Sequence, residues 1–284
     1  MGCRSLCLTR CCVRGSFSLR TVGAATSMQP APLPERCLLC TSVVSKTLEE
    51  ALADMQEAKA KGADVVELRL DCLTPAAGVA ELSALLEKAQ LPVIVTARAS
   101  FEGGHFVGTE ESRLQVLWQA VLLGAAFVDV ELLAAERFFA AAPEGWRREN
   151  CRTRFILSTH DFLGTPSLAG LRATHAKAVS SGADIVKIAT TAGGIMDVEP
   201  LVHLLRESGT VPTIALSMGE AGLVRQTSAI FLIFTQRTQI SRLLAPKWGS
   251  FLTFGALAVG KESAPGQPTL ENMLSVFRLH TQVR

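Results

Sequence analysis

Two rhythms of apolar and polar positions alternate along this chain. Stretches with helical periodicity, at 46–61, 110–123, 168–181 and 197–207, lie between short, continuous apolar runs. Three of those runs are variants of one segment: GADVVELRLD from Gly62, GAAFVDVELL from Gly124 and GADIVKIATT from Gly182. They recur 62 and 58 residues apart. A glycine where helical periodicity stops is the residue a helix terminus favours. A run apolar on both faces is expected of a parallel strand covered on both sides. Between them lie PVIVTAR (92–98), RFILSTH (154–160) and PTIALSM (212–218), again about 60 residues apart. With a first strand near 37–43 and a last near 250–257, the chain predicts eight βα units. That is the rhythm of a single-domain α/β protein, a (β/α)8 TIM barrel over 35–284. A doubly wound open sheet is the alternative, but no G-x-G-x-x-G follows any of these strands.

Composition narrows the class. Of 284 residues 48% are hydrophobic and 19% charged, which excludes a disordered chain. The longest apolar candidate, Ala229 to Phe234, is far too short to span a membrane as a helix. Net charge is +2, so no nucleic-acid surface is indicated. Residues 1–34 hold Arg4, Arg10, Arg14 and Arg20 and no acid. They read as a disordered transit peptide, with plastid the expected destination and a cytoplasmic or mitochondrial location the alternatives. Without them the chain has 24 basic and 26 acidic residues, a net of −2. Gly2 does not signal myristoylation, because Leu6 stands where that motif needs Ser or Thr. Four of the eight cysteines lie in this leader. Cys37 and Cys40 form a C-x-x-C with no second pair, and are expected to be buried reduced thiols. His105, His175, His203 and His280 have no metal spacing and are expected on surfaces or helices; no metal site or cofactor is expected. Lys59 and Lys61 read as solvated helix charges, and Trp146, Arg147 and Arg148 as loop surface.

The chemistry emerges from the strand register. Five positions after each repeated glycine come Glu67, Asp129 and Lys187. Arg98, His160 and Met218 end the intervening strands, at the end where barrel active sites sit. Buried charge is costly unless paired, so a charged register repeated in apolar strands points to a site. A lysine amine in an apolar barrel can lose its proton and attack a carbonyl to form a Schiff base. The iminium then acts as an electron sink. His160 is the natural acid and base, Glu102 can orient its imidazole, and Arg69, Arg98 and one further arginine can hold a carboxylate and hydroxyls.

The segments ELRLD (67–71), TARASFEGGHF (96–106), STHDFLGTPS (158–167), GADIVKIAT (182–190), SMGEAG (217–222), SRLLAPKWGSFLTFG (241–255) and SAPGQPT (263–269) resemble type I 3-dehydroquinate dehydratases. The likeness runs through 37–280 and is strongest to the dehydratase half of the plant bifunctional enzyme, whose other half is a shikimate dehydrogenase. It implies a cofactor-free, metal-free barrel in the shikimate pathway of aromatic amino-acid biosynthesis. Lys187 would form an imine with the ketone of 3-dehydroquinate, His160 would remove a proton, and loss of water would give 3-dehydroshikimate. Glu102 would partner His160. Glu67, Arg69, Arg98, Asp129 and Met218 make up the expected substrate-binding set with Arg242 on the carboxylate and Ser263 and Gln267 on a closing loop. The expected partner is the small-molecule substrate. A homodimer and a shikimate dehydrogenase domain beyond Arg284 are further candidates. Two other readings are a class I aldolase-type lyase, against which SAPGQ and EGG argue, and a barrel that is catalytically impaired or a fragment of a bifunctional enzyme.

One departure bears on that last reading. The family pattern MGxxGxxSR is interrupted after Leu223 by VRQTSAIFLIFTQRTQ (224–239), before Ile240, Ser241 and Arg242. Deleting these sixteen residues restores GLISRLLAPKWG. The stretch reads as a retained intron: it opens on Val, whose codons begin GT, ends on Gln, whose codon can be CAG, and keeps the frame. A genuine loop is the alternative. Longer loops cost little closure entropy, so the barrel should form either way. Catalysis tolerates displacement of a binding arginine poorly, because a shift of about 1 Å can cost 100-fold. Joining Leu223 directly to Ile240 should therefore give a more soluble and much more active protein. Equal solubility and turnover with and without the stretch would mark it as a harmless native loop.

Overall fold

The computed structural model describes residues 30, 32–218, 239–264 and 267–281. Most of the proposed leader (1–34) and nearly all of the stretch 224–239 lie outside them. Eight strands alternate with helices: β1 (Leu38–Val43), α1 (Leu48–Ala60), β2 (Val65–Arg69), α2 (Val79–Lys88), β3 (Val93–Thr96), α3 (Glu110–Leu122), β4 (Phe127–Glu131), α4 (Ala135–Ala140), β5 (Arg154–His160), α5 (Leu168–Ser180), β6 (Ile185–Thr191), α6 (Glu199–Glu207), β7 (Thr213–Met218), α7 (Gln239–Trp248), β8 (Leu252–Gly255) and α8 (Leu270–Thr281). All the ladders are parallel, in the order β7-β6-β5-β4-β3-β2-β1-β8. At the seam the Phe251 amide donates to the Thr213 carbonyl at 2.8 Å. The sheet is thus curled into the expected barrel.

The repeated Gly-Ala explains itself at the helix ends. Gly62, Gly124 and Gly182 have φ of 82°, 80° and 95°, the left-handed region that stops a helix. The next amides, of Ala63, Ala125 and Ala183, donate back to Ala58, Ala120 and Ala178 at 3.0 to 3.1 Å. The third letter of the repeat clasps the neighbouring strand. Asp64 accepts from the Leu39 amide at 2.9 Å and Asp184 from the Phe155 amide at 2.8 Å. At the other ends, Thr47, Thr109 and Ser167 cap α1, α3 and α5, with Glu50 completing a capping box on the first.

Burial falls into two layers. Inside the barrel, Leu38, Cys40, Val65, Ile94, Phe127, Ile156, Ile185, Ile214 and Phe254 form an apolar plug. Outside, Trp118 of α3 stacks on Phe138 of α4 at 4.6 Å and donates its indole N–H to the Phe138 carbonyl at 2.8 Å. Trp146 is not loop surface as expected. It packs edge-on against Trp118 at 4.9 Å, because the loop turns back over this aromatic cluster. Lys61 is partly exposed and paired with Glu57 at 2.7 Å, as a helix charge can be, and it has a second contact. Its Nζ donates to the Leu257 carbonyl at 2.9 Å, tying α1 to the loop after β8. The thiols of Cys37, Cys40, Cys72 and Cys151 are free, and burial pushes Cys37 up to about 12. Phe138 is fully buried, so Phe138→Ala should lower the unfolding free energy by about 3–5 kcal/mol in a urea titration. A loss below about 1 kcal/mol would show that the cluster is not tightly packed.

Candidate active site

Above the apolar plug the barrel interior turns ionic. Lys187, on β6, is buried among three strands. Its Nζ donates to Asp129 of β4 at 2.8 Å and to Glu67 of β2 at 3.2 Å. The Phe254 ring lies 4.8 Å away on its remaining side. Arg98, just past β3, pairs with Asp129 at 2.9 Å, so Asp129 serves two cations. Burial alone would raise the Asp129 and Glu67 carboxyls. Arg98 and Lys187 outweigh it for Asp129, Lys187 and Arg69 for Glu67, and both stay below their ordinary values. Burial would likewise weaken the Arg98 proton, but Asp129 and Glu131 reverse that.

His160 ends β5 with its Nδ1 2.7 Å from Glu102, which sits on a short turn after β3. Nδ1 is thereby engaged and Nε2 is left for the cavity. Burial, with Arg98 and Lys187 nearby, pushes the imidazole well below its usual value. Burial pushes Glu102 the other way, up to about 8, helped by Glu131 and Asp129. Both shifts favour uncharged groups at this corner.

Of the residues singled out in the sequence, Lys187, His160, Glu102, Glu67, Arg69, Arg98, Met218, Arg242 and Ser263 line one cavity of about 410 Å³ at the carboxyl ends of the strands. Arg242 reaches it from α7, buried to 4% exposure, while its rival Arg225 lies outside the described residues. Asp129 lies beneath the cavity wall rather than on it, held by Lys187, Arg98 and Ser158. Gln267 lies just behind Ser263, accepting from the Ser263 amide and hydroxyl at 3.0 Å each. Its Nε2 is buried with no acceptor among the described residues.

Several residues of this network escaped the sequence reading. Ser42, Thr96 and Ser158 bind the carboxylates of Glu67 and Asp129 at 2.5 to 3.1 Å. They pair in register with the charged strands, and hydroxyls inside otherwise apolar runs were the available signal. Asp71 continues the alternation of Glu67 and Arg69. It binds Arg69 through both oxygens and accepts the amides of Arg98 and His105, which fixes the turn carrying Glu102. Glu131 continues from Asp129 in the same way. Among the other histidines, His175 reaches Thr213 at 2.9 Å from α5, and His105 and His203 are exposed. Among the described residues no group of three or more His, Cys, Asp and Glu side chains could hold a metal ion, and no helix is long and apolar enough to cross a membrane.

A barrel with a buried amine and a partnered imidazole in one mouth belongs to the enzymes of this fold. The chain belongs to the type I 3-dehydroquinase family, whose sequence model matches residues 39–236 and 225–284. The two matched pieces overlap within the stretch that interrupts the family pattern. The bifunctional 3-dehydroquinate dehydratase/shikimate dehydrogenase, chloroplastic, of Arabidopsis thaliana is 38% identical over 240 residues, covering 84% of this chain. This chain spans 36% of that relative's length. The 3-dehydroquinate dehydratase of Desulfotalea psychrophila is 34% identical over 249 residues, covering 84% of this chain and 96% of the relative. Among solved structures, the 3-dehydroquinate dehydratase of Geobacillus kaustophilus superposes with a TM-score of 0.73 at 25% identity, covering 91% of this chain and all of that one.

Proposed function

We propose that this chain dehydrates 3-dehydroquinate to 3-dehydroshikimate, as a carbon–oxygen hydro-lyase working through a lysine Schiff base. The observation that carries the reading is the buried Lys187 facing the same cavity as the His160–Glu102 pair. In this mechanism the unprotonated Nζ attacks the substrate ketone, and the ketone oxygen leaves as water. The resulting iminium stays cationic between Asp129 and Glu67, which already hold the ammonium. Nε2 of His160 takes a proton from the adjacent carbon, whose electron pair forms a C=C bond as the C=N pair moves onto nitrogen. The enamine then expels the neighbouring hydroxyl, which leaves as water with the proton His160 returns. Hydrolysis of the imine restores the ketone and Lys187, so one water is lost in total. Arg242 suits the substrate carboxylate, with Ser263 beside it on the cavity wall and Gln267 holding Ser263 from behind. Arg69 and Glu67 suit its hydroxyls. We assign residues 1–34 to plastid targeting on their acid-free composition and on the chloroplastic relative. The bifunctional relative, of which this chain spans 36%, is what supports a shikimate dehydrogenase domain as a companion of this barrel.

Borohydride added with 3-dehydroquinate should trap a substrate adduct at Lys187, located by peptide mass mapping. A normal rate in Lys187→Ala would refute the imine. His160→Ala should slow turnover by about 10²–10⁴-fold, and an unchanged rate would assign the base elsewhere.

The same geometry fixes a pH dependence. Glu102 keeps its proton below about pH 8, and the imidazole beside it takes no second one. Loss of the pair's proton makes Glu102 a carboxylate that holds Nδ1–H, with Nε2 free as base. The base form is therefore present above about pH 8 and lost as pH falls. The rate constant kcat/KM should rise with pH and level off there, and Glu102→Gln should move that limb to lower pH. A profile flat from about pH 6 to 9 would contradict the assignment.

A further inference from the structure

The charges of the site do not end at the cavity wall. Glu131, two residues beyond Asp129 on β4, is fully buried and does not line the cavity. Its Oε1 accepts from Arg98 Nη1 and from the Ala99 amide, each at 3.0 Å. Its Oε2 accepts from Arg113 Nη1 at 2.5 Å. Arg113 stands on α3, outside the barrel, at 2% exposure. It also donates to the Ala97 carbonyl at 2.9 Å and grips Glu110 through Nε and Nη2 at 2.8 and 2.7 Å. A line of ion pairs thus runs from an outer helix to Arg98, which lies 4.0 Å from Glu102 and 2.9 Å from Asp129. Packing α3 on the barrel needs only an apolar side chain, and a buried ionic chain is often no more stable than one.

We propose that Arg113 is a positioning residue: through Glu131 it fixes the Arg98 guanidinium and cancels part of the negative charge that Glu131 exerts on the Glu102–His160 pair. The proposal deepens the functional reading above and rests on it for its effect on turnover. The groups facing the pair are Arg98 from the end of β3, Asp129 and Glu131 from β4, Lys187 from β6 and Arg69 from β2, with Glu67 behind Lys187. Arg113 touches none of the cavity, so it acts only through this chain. Without it, Glu131 stands less opposed and draws Arg98 toward itself. The pair then holds its proton more tightly. Without Glu131 the effect reverses.

The test follows the His160 imidazole by carbon-13 NMR in the full chain, assigned with His160→Asn, across a pH series without substrate. The kcat/KM profile is recorded in parallel. Arg113→Met should raise the midpoint at which His160 responds by about one pH unit, tenfold in proton affinity. Glu131→Gln should lower it, the double variant should return close to wild type, and Arg113→Lys, which keeps the charge, should rescue it. If Arg113→Met does not fold, a downward shift in Glu131→Gln that the double variant reverses supports the proposal. Equal midpoints in every folded variant overturn it, whatever happens to the rate, and leave Arg113 a packing residue. The midpoint needs no turnover. A wild-type protein without dehydratase activity would therefore sink the functional reading while the NMR series still decides this one.

Discussion

A lysine ammonium held between two carboxylates inside an apolar barrel is the constraint on which the site depends. Lys187 cannot sit there uncompensated, and Asp129 and Glu67 compensate it. Their own charges need partners in turn. Arg98 serves Asp129, Ser158 and Thr96 fill lone pairs, and Glu131 and Arg113 anchor Arg98 from outside. The result is a fully partnered network whose members are fixed by one another. Only such a network can keep an amine buried and poised beside an imidazole, because a half-satisfied one would cost more than an apolar core.

The backbone supplies the geometry that makes this affordable. Parallel strands in register bring Glu67, Asp129 and Lys187 together from positions 58 to 120 residues apart in the chain. The turn after β3 then brings Glu102 to His160, at the end of β5, at 2.7 Å. Asp71 does for the Glu102 turn what Glu131 does for Arg98: it collects backbone amides and locks a loop against a strand end. Charged groups inside the strands hold the amine, and the Glu102–His160 pair sits at the strand ends above it.

Much of this was legible in the sequence. The repeated glycine marked the helix ends, because the left-handed turn there needs it, and the repeat spacing gave the strand order. The register of Glu67, Asp129 and Lys187 followed from counting five places past that glycine. What escaped detection depended on contacts between elements. Arg113 reads as one more polar residue on an amphipathic helix until α3 is laid against β4. Trp146 reads as loop surface until its loop is folded back on Trp118. Lys61, partly solvated as read, gains a tie to the barrel only when the loop after β8 offers it a carbonyl. Period-two alternation did point to Asp71 and Glu131, one step past the positions read, but a strand's end cannot be located from its own sequence.

In the proposed mechanism the buried amine of Lys187 displaces the ketone oxygen of the substrate. Turnover in oxygen-18 water tests it most directly, with the product ketone analysed by mass spectrometry before uncatalysed exchange sets in. An imine must be hydrolysed to release product, so every molecule formed should carry one solvent oxygen in its ketone. Product that keeps the original ketone oxygen would contradict it, because the elimination would then have run with the carbonyl intact.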